Sequence, residues 1–231
     1  MADSIITTYH LYNRERSSCA RRVRIALALK QVQNVVLHDL NTECRDHMAD
    51  KYRDLNPTGA VPTLVIETTA PKGGGVGERL VLTQSTAILE YLEESIQPPS
   101  AILLLPSIQD AVQRARVRQL VALVTQDIFP LANRKNVNRI GEIARSEDGQ
   151  LAFVKRALDE GFDAYEKMLE GFGGKYSVGD ELSLADVCLV PQILQAKMWG
   201  VDVLGEEEKW PLVRSVAGEL VKIEAFSREM G

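Results

Sequence analysis

Hydrophobic periodicity changes once along this chain, near Ser107, and that change limits the possible folds more than any single motif. Upstream, short β-branched and aromatic runs alternate with helical stretches; downstream, apolar residues recur only at helical steps. Ile5 to Tyr12 predicts a strand, Ser18 to Lys30 a helix, and Val35 to Leu40 a second strand, a βαβ unit. Arg45 to Leu55 has helical character, with Met48, Tyr52 and Leu55 along one side, and Asn56-Pro57-Thr58-Gly59 breaks it. Val61 to Glu67 and Arg79 to Thr83 read as a hairpin, followed by a helix over Thr86 to Ile96, so the order is βαβαββα. Beyond Ser107 two long helices are expected, one through Val117, Leu120, Val121, Val124, Ile128 and Leu131, the other through Leu151, Val154, Leu158, Phe162, Tyr165 and Leu169. Pro130 should kink or end the first, because proline lacks the donor and crowds the preceding turn. Pro98, Pro99 and Pro106 mark the connector, giving an α/β domain over 1–97, a linker over 98–106 and an all-α domain over 107–231.

Two stretches punctuate these domains with serines ahead of helices. At the first, Ser17-Ser18-Cys19 stands where the opening strand gives way to a largely apolar helix. Unsatisfied backbone N–H groups and the positive end of the helix dipole favour an anion there, a thiolate included. Ordinary N-capping by the serines and simple burial of Cys19 also account for the pattern. Arg14, Arg16, Arg21, Arg22 and Arg24 crowd this stretch against Glu15, a local positive balance in an acidic chain. At the second, Ser183 as N-cap and Asp186 three residues on make a capping box, with Leu182 and Val187 as the hydrophobic staple, so this signal is structural.

Composition removes several classes. A formal net charge of -5 argues against a nucleic-acid binder, whose footprint is a basic surface. Three cysteines, Cys19, Cys44 and Cys188, form no CxxC pair, and no apolar leader or membrane-length run is present. The expectation is a reduced, soluble, cytoplasmic protein with no membrane partner. His10, His38 and His47 have no metal-ligand spacing, so no metal is expected. The glycines between Thr68 and Glu78 are not followed by Gly-Lys-Ser/Thr and open no helix; the loop reads as an insertion rather than a phosphate cradle.

Four segments together carry a family resemblance. They are Ser17-Ser18-Cys19 with Arg22-Val23-Arg24-Ile25-Ala26-Leu27; Leu55-Asn56-Pro57 to Val61-Pro62-Thr63-Leu64; Gln84-Ser85 with Ile88 and Glu90-Tyr91-Leu92-Glu93-Glu94; and Gly179-Asp180-Glu181 through Leu189-Val190-Pro191-Gln192. In this order and spacing the chain resembles a cytosolic glutathione transferase over nearly its whole length. Among the classes it is most similar to zeta, the maleylacetoacetate isomerase class. The resemblance implies a thioredoxin-like first domain, an all-helical second, glutathione as cofactor and a homodimer. One sign of a partner surface is that Val112, Val117, Val121 and Leu123 cannot all share one helical stripe.

The resemblance also implies site roles. Ser17 would hold the glutathione thiolate, with Ser18 supporting and Cys19 close by. Val61, ahead of a cis Pro62, would pair its main chain with the cysteinyl backbone, and Gln84 and Ser85 would receive the γ-glutamyl carboxylate. His47 would meet the glycyl end. The thiolate adds to a cis-configured conjugated dicarboxylic acid, the former double bond rotates, and the thiol leaves the trans isomer. Arg21, Arg22, Asn133, Arg134, Lys197 and Met198 would line the substrate pocket. Here the chain departs from the class: Ala20-Arg21 replaces Ser-Trp, and Met198 stands where an arginine would receive the substrate carboxylate. A transferase conjugating or dehalogenating small electrophiles, or a non-catalytic interaction module, are the other readings.

Overall fold

The computed structural model describes residues 6–41, 44, 46–69, 77–97, 102–205 and 208–230. They form two compact units, Met1–Ile102 and Leu103–Gly231. Of the expected linker, 98–101 lie outside the described residues, as do 70–76 of the glycine-rich loop.

The first unit is built on a four-stranded sheet of β1 (Thr7–Asn13), β2 (Val35–Asp39), β3 (Thr63–Thr68) and β4 (Arg79–Thr83) in the order β2-β1-β3-β4. The β1–β2 pair is parallel, as the intervening helix α1 (Ser18–Leu29) requires, while β1–β3 and β3–β4 are antiparallel. Leu11 pairs with Leu64, and both are fully buried. Val23, Ile25, Ala26 and Leu27 of α1 and Ile88, Leu89 and Leu92 of α3 (Ser85–Ser95) complete the core as the two helices pack together. Burying each such side chain contributes about 1.5–3 kcal/mol.

Two expectations fail in detail. The helix expected over Arg45 to Leu55 is a single 3-10 turn, Asp46–Met48, and a short α2 (Asp50–Arg53). Tyr52 is the one residue of those two turns that is buried, too little apolar surface to hold a longer helix. Strand β3 starts at Thr63 rather than Val61, because Pro62 has no N–H to give the ladder.

At the far end of α1, Lys30 is 1% exposed. Its ammonium meets Glu93 Oε2 at 2.7 Å and donates to Ile96 O and Ile102 O, both at 3.1 Å. Three donors meet three acceptors, which makes this buried charge tolerable.

The second unit is helical: α4 (Ala111–Ala122), α5 (Phe129–Ala132), α6 (Arg134–Ala144), α7 (Glu147–Phe172), α8 (Leu184–Met198), α9 (Pro211–Leu220) and α10 (Glu224–Met230). The first long helix is broken as Pro130 requires, and the means is a π-helical stretch over Leu123–Ile128 that puts Pro130 in the first turn of α5, where its missing donor costs no helical bond. Ile128 packs where a Cβ on Gly161 of α7 would stand 2.5 Å from its Cγ1, so that helix needs glycine there. Nearly all of α8 is buried, which makes it the central helix of this unit.

Candidate functional site

Two helix starts in the first unit are brought together. Ser17 has extended backbone, φ -78 and ψ 117, and its Oγ accepts from Ala20 N at 3.3 Å, so its own hydroxyl hydrogen is left for another acceptor. Ser18 is buried and Cys19 half-buried in the first turn, which holds no acidic residue. The start of α3 is more unusual. Gln84 takes φ 69 and ψ 116, a conformation that a residue with a side chain rarely adopts, and makes no side-chain cap. That strain turns the chain so that Ser85 begins the helix, again with no acid in the first turn.

Arg22 joins the two. It is 1% exposed, and its Nη1 lies 3.3 Å from Ser85 Oγ and 3.8 Å from Cys19 Sγ. Of the residues expected to line a substrate pocket, Arg22 is therefore enclosed behind the helix starts, while Arg21 is half-buried beside them.

A third edge is formed by the loop into β3, where the Val61–Pro62 peptide is cis. Tyr52 Oη donates to Ala60 O and stands 2.9 Å from Thr63 Oγ1; Asn56 Nδ2 donates to the same two oxygens at 2.7 and 3.0 Å. Burial raises the Tyr52 phenol above its ordinary range, so it stays a donor. This network fixes both flanks of Val61, whose backbone N–H and C=O take no hydrogen-bond partner among the described residues. His47 is close by: its carbonyl would be 3.0 Å from a Cβ on Gly59, which sits at φ +62. The His47 Nδ1 is buried without a hydrogen-bond partner among the described residues. A free main-chain edge, an unmatched ring nitrogen and two helix starts with no acid in the first turn, backed by a guanidinium, suit an extended, peptide-like anion.

The remaining pocket candidates belong to the second unit. Ala132 O accepts from Trp199 Nε1 at 2.8 Å and Gln195 Nε2 at 3.2 Å, which draws the start of α6, where Asn133 and Arg134 stand, to the end of α8, which carries Lys197 and Met198. Asn133 spends its side chain as the N-cap of α6, bonding Lys135 N at 2.9 Å. Arg134, Lys197 and Met198 are exposed.

Asp186 is fully buried and structural. Its Oδ2 accepts from Ser183 N at 2.8 Å and Ser183 Oγ at 3.0 Å, and its Oδ1 from Ser177 N at 2.8 Å. Desolvation pushes the carboxyl up, against the pull of those bonds. Among the described residues no group of three or more His, Cys, Asp or Glu could hold a metal, and no helix is long and apolar enough to cross a membrane. Sequence reasoning missed the reach of Arg22 to Ser85 and the backbone of Gln84. Neither has a local signal, since one contact spans 63 residues and glutamine is not a usual left-handed residue.

The chain matches known proteins over most of its length. The model of the glutathione S-transferase N-terminal domain matches residues 16–95, and that of the C-terminal domain residues 120–220. The maleylacetoacetate isomerase of Mus musculus is 37% identical over 217 residues, covering 94% of this chain and 89% of the mouse protein. The crystal structure of maleylacetoacetate isomerase from Anaeromyxobacter dehalogenans with glutathione in the active site superposes with a TM-score of 0.80 at 31% identity, over 96% of this chain and 94% of that one. The same enzyme with bound dicarboxyethyl glutathione and citrate matches equally, with a TM-score of 0.80 at 30% identity over the same shares of each chain.

Proposed function

From the premise that this chain belongs to the glutathione S-transferase family, in its zeta, maleylacetoacetate isomerase branch, we propose that it isomerises maleylacetoacetate-like dicarboxylic acids with glutathione as cofactor. The observation that carries this reading is the meeting of two open helix starts at Arg22, which suits an anionic tripeptide better than a neutral ligand. When bound, glutathione supplies the nucleophilic thiolate.

This reading gives several of the chain's own residues a role. Ser17, already accepting from Ala20 N, donates its hydrogen to the thiolate and raises the small thiolate fraction of a free thiol near neutral pH. Ser18 and Cys19 shape the first turn around it. Val61 offers its main-chain N–H and C=O to the cysteinyl backbone, with Pro62 setting the loop. Gln84 and Ser85 receive the γ-glutamyl carboxylate, and the His47 ring serves the glycyl end. Lys197 is the exposed cation beside Met198, and as a lysine it offers a substrate carboxylate a point charge in place of an arginine's bidentate fork.

In this reading residues 1–97 carry glutathione, 98–106 connect, and 107–231 supply the electrophile side. The protein works as a cytoplasmic homodimer in aromatic amino-acid catabolism. The 62% exposure of Val112 on α4 supports a covered surface there. Met198 also favours a second reading, a broader transferase that conjugates or dehalogenates small electrophiles. Turnover of maleylacetoacetate and of dichloroacetate, compared at saturating glutathione, tests the pair. Isomerisation at the higher kcat/KM is expected; dehalogenation without isomerisation would overturn the first reading in favour of the second.

A further inference from the structure

We infer that Arg22 is a positioning residue, which fixes the Ser85 hydroxyl so that its one hydrogen points to a carboxylate of the ligand; this rests on the glutathione reading above. A guanidinium has donors and no acceptor, so at 3.3 Å the Ser85 oxygen must accept from Arg22 Nη1. One lone pair is then occupied and the hydroxyl rotor is set. Ser85 is the first residue of α3, with no preceding helical carbonyl to take its hydrogen, and an acceptor-only group is what that hydrogen suits. Without Arg22 the hydroxyl loses that donor, and its hydrogen is no longer held in one direction before the ligand arrives.

The second contact extends the argument. The same Nη1 lies 3.8 Å from Cys19 Sγ in the first turn of α1, so one enclosed cation stands behind both helix starts. Its charge adds to two helix dipoles that no acidic side chain in either first turn offsets. Screening by solvent is small at 1% exposure. Arg22 therefore reads the acidic end of the ligand through Ser85 without touching it.

The test measures binding of two probes, glutathione and 4-aminobutyryl-cysteinylglycine, which lacks the γ-glutamyl carboxylate. Wild-type protein should prefer glutathione by roughly 100-fold, and Arg22→Gln should weaken glutathione about 10- to 100-fold while leaving the analogue within about twofold. Arg22→Gln added to Ser85→Ala should cost less than Arg22→Gln alone, since both act on one hydrogen bond and only the charge is left to lose. If Arg22→Gln does not fold, Arg22→Lys keeps the charge and should retain part of the preference. Parallel weakening of both probes, or an unchanged ratio in Arg22→Lys and Arg22→Gln alike, would reduce Arg22 to a tie between helices. A wild-type protein that binds neither probe would overturn the glutathione reading itself and this role with it.

Discussion

Ser17 and Ser183 each stand just ahead of a helix, one in each unit, yet the helix starts they serve are filled by different means. At Ser183 the chain supplies its own anion: Asp186 closes the box and takes three donors, at 2.8, 2.8 and 3.0 Å. At Ser17 the third helical position is Ala20, and the first turn holds no acid. The same is true at Ser85. A helix start filled from within is finished when the chain folds, whereas one without an acid leaves its positive end for an anion from outside. The difference lies in a single side chain, carboxylate or methyl, three residues after the serine.

That contrast is best broken at the closed end. Asp186→Ala would strand buried donors and should cost about 3 kcal/mol of stability, while glutathione affinity per folded molecule stays within about twofold. Both tryptophans, Trp199 and Trp210, lie in the helical unit, so fluorescence-monitored denaturation reports it. A large loss of glutathione binding in the folded variant would mean that the two starts are not separate.

At the open end the effect should appear in rate. Ser17→Ala removes a hydrogen bond to a charged acceptor, about 2 kcal/mol, or one to two decades in kcat/KM, against about 1 kcal/mol of stability for the lost cap. A stability loss with unchanged rate would make Ser17 only a cap. Cys19→Asp goes further and gives α1 an internal anion, as α8 has. Glutathione should then bind roughly fivefold to tenfold more weakly, near 1 kcal/mol, with the helix no less stable. Unaltered affinity in a calorimetric titration would show that ligand and carboxylate do not compete for this start.

The smallest effect separates the units by pH. His38 lies 3.0 Å from His10 Nδ1 and stacks on Tyr12; Glu67, itself held by Arg79, is 3.7 Å from His10. Burial, then His10, lowers the His38 imidazole below its ordinary range. Its folded form resists the proton, so its stabilising contribution is present above the ordinary histidine range and is lost as pH falls through it. Asp186 is raised, so its contribution is present at low pH and is lost as pH rises through its folded value. Between pH 7 and 5, amide protection in β1 and β2, corrected for the intrinsic exchange rate, should fall while fluorescence-detected stability of the helical unit does not. Equal losses in both units would contradict these signs.

What was legible beforehand was local. Alternating strands, the Ser183–Asp186 box and the break at Pro130 all rest on residues within one or two turns of each other, where spacing alone carries the physics. The π-helical route around Pro130, the shortness of α2 and the contacts of Arg22 depend on neighbours brought from elsewhere in the chain. Gln84 is the sharpest case, because its backbone, at φ 69, runs against the preference of a residue that carries a side chain.

The enclosed ammonium of Lys30 bears on where the chain can be cut. Its partners Glu93, Ile96 and Ile102 straddle the point at which sequence pattern alone would end the first domain. A fragment stopped at residue 97 loses the Ile102 carbonyl and leaves a buried donor unmet, at a cost of about 1–3 kcal/mol. One carried to residue 106 keeps all three acceptors, and should melt higher than the shorter piece by the difference.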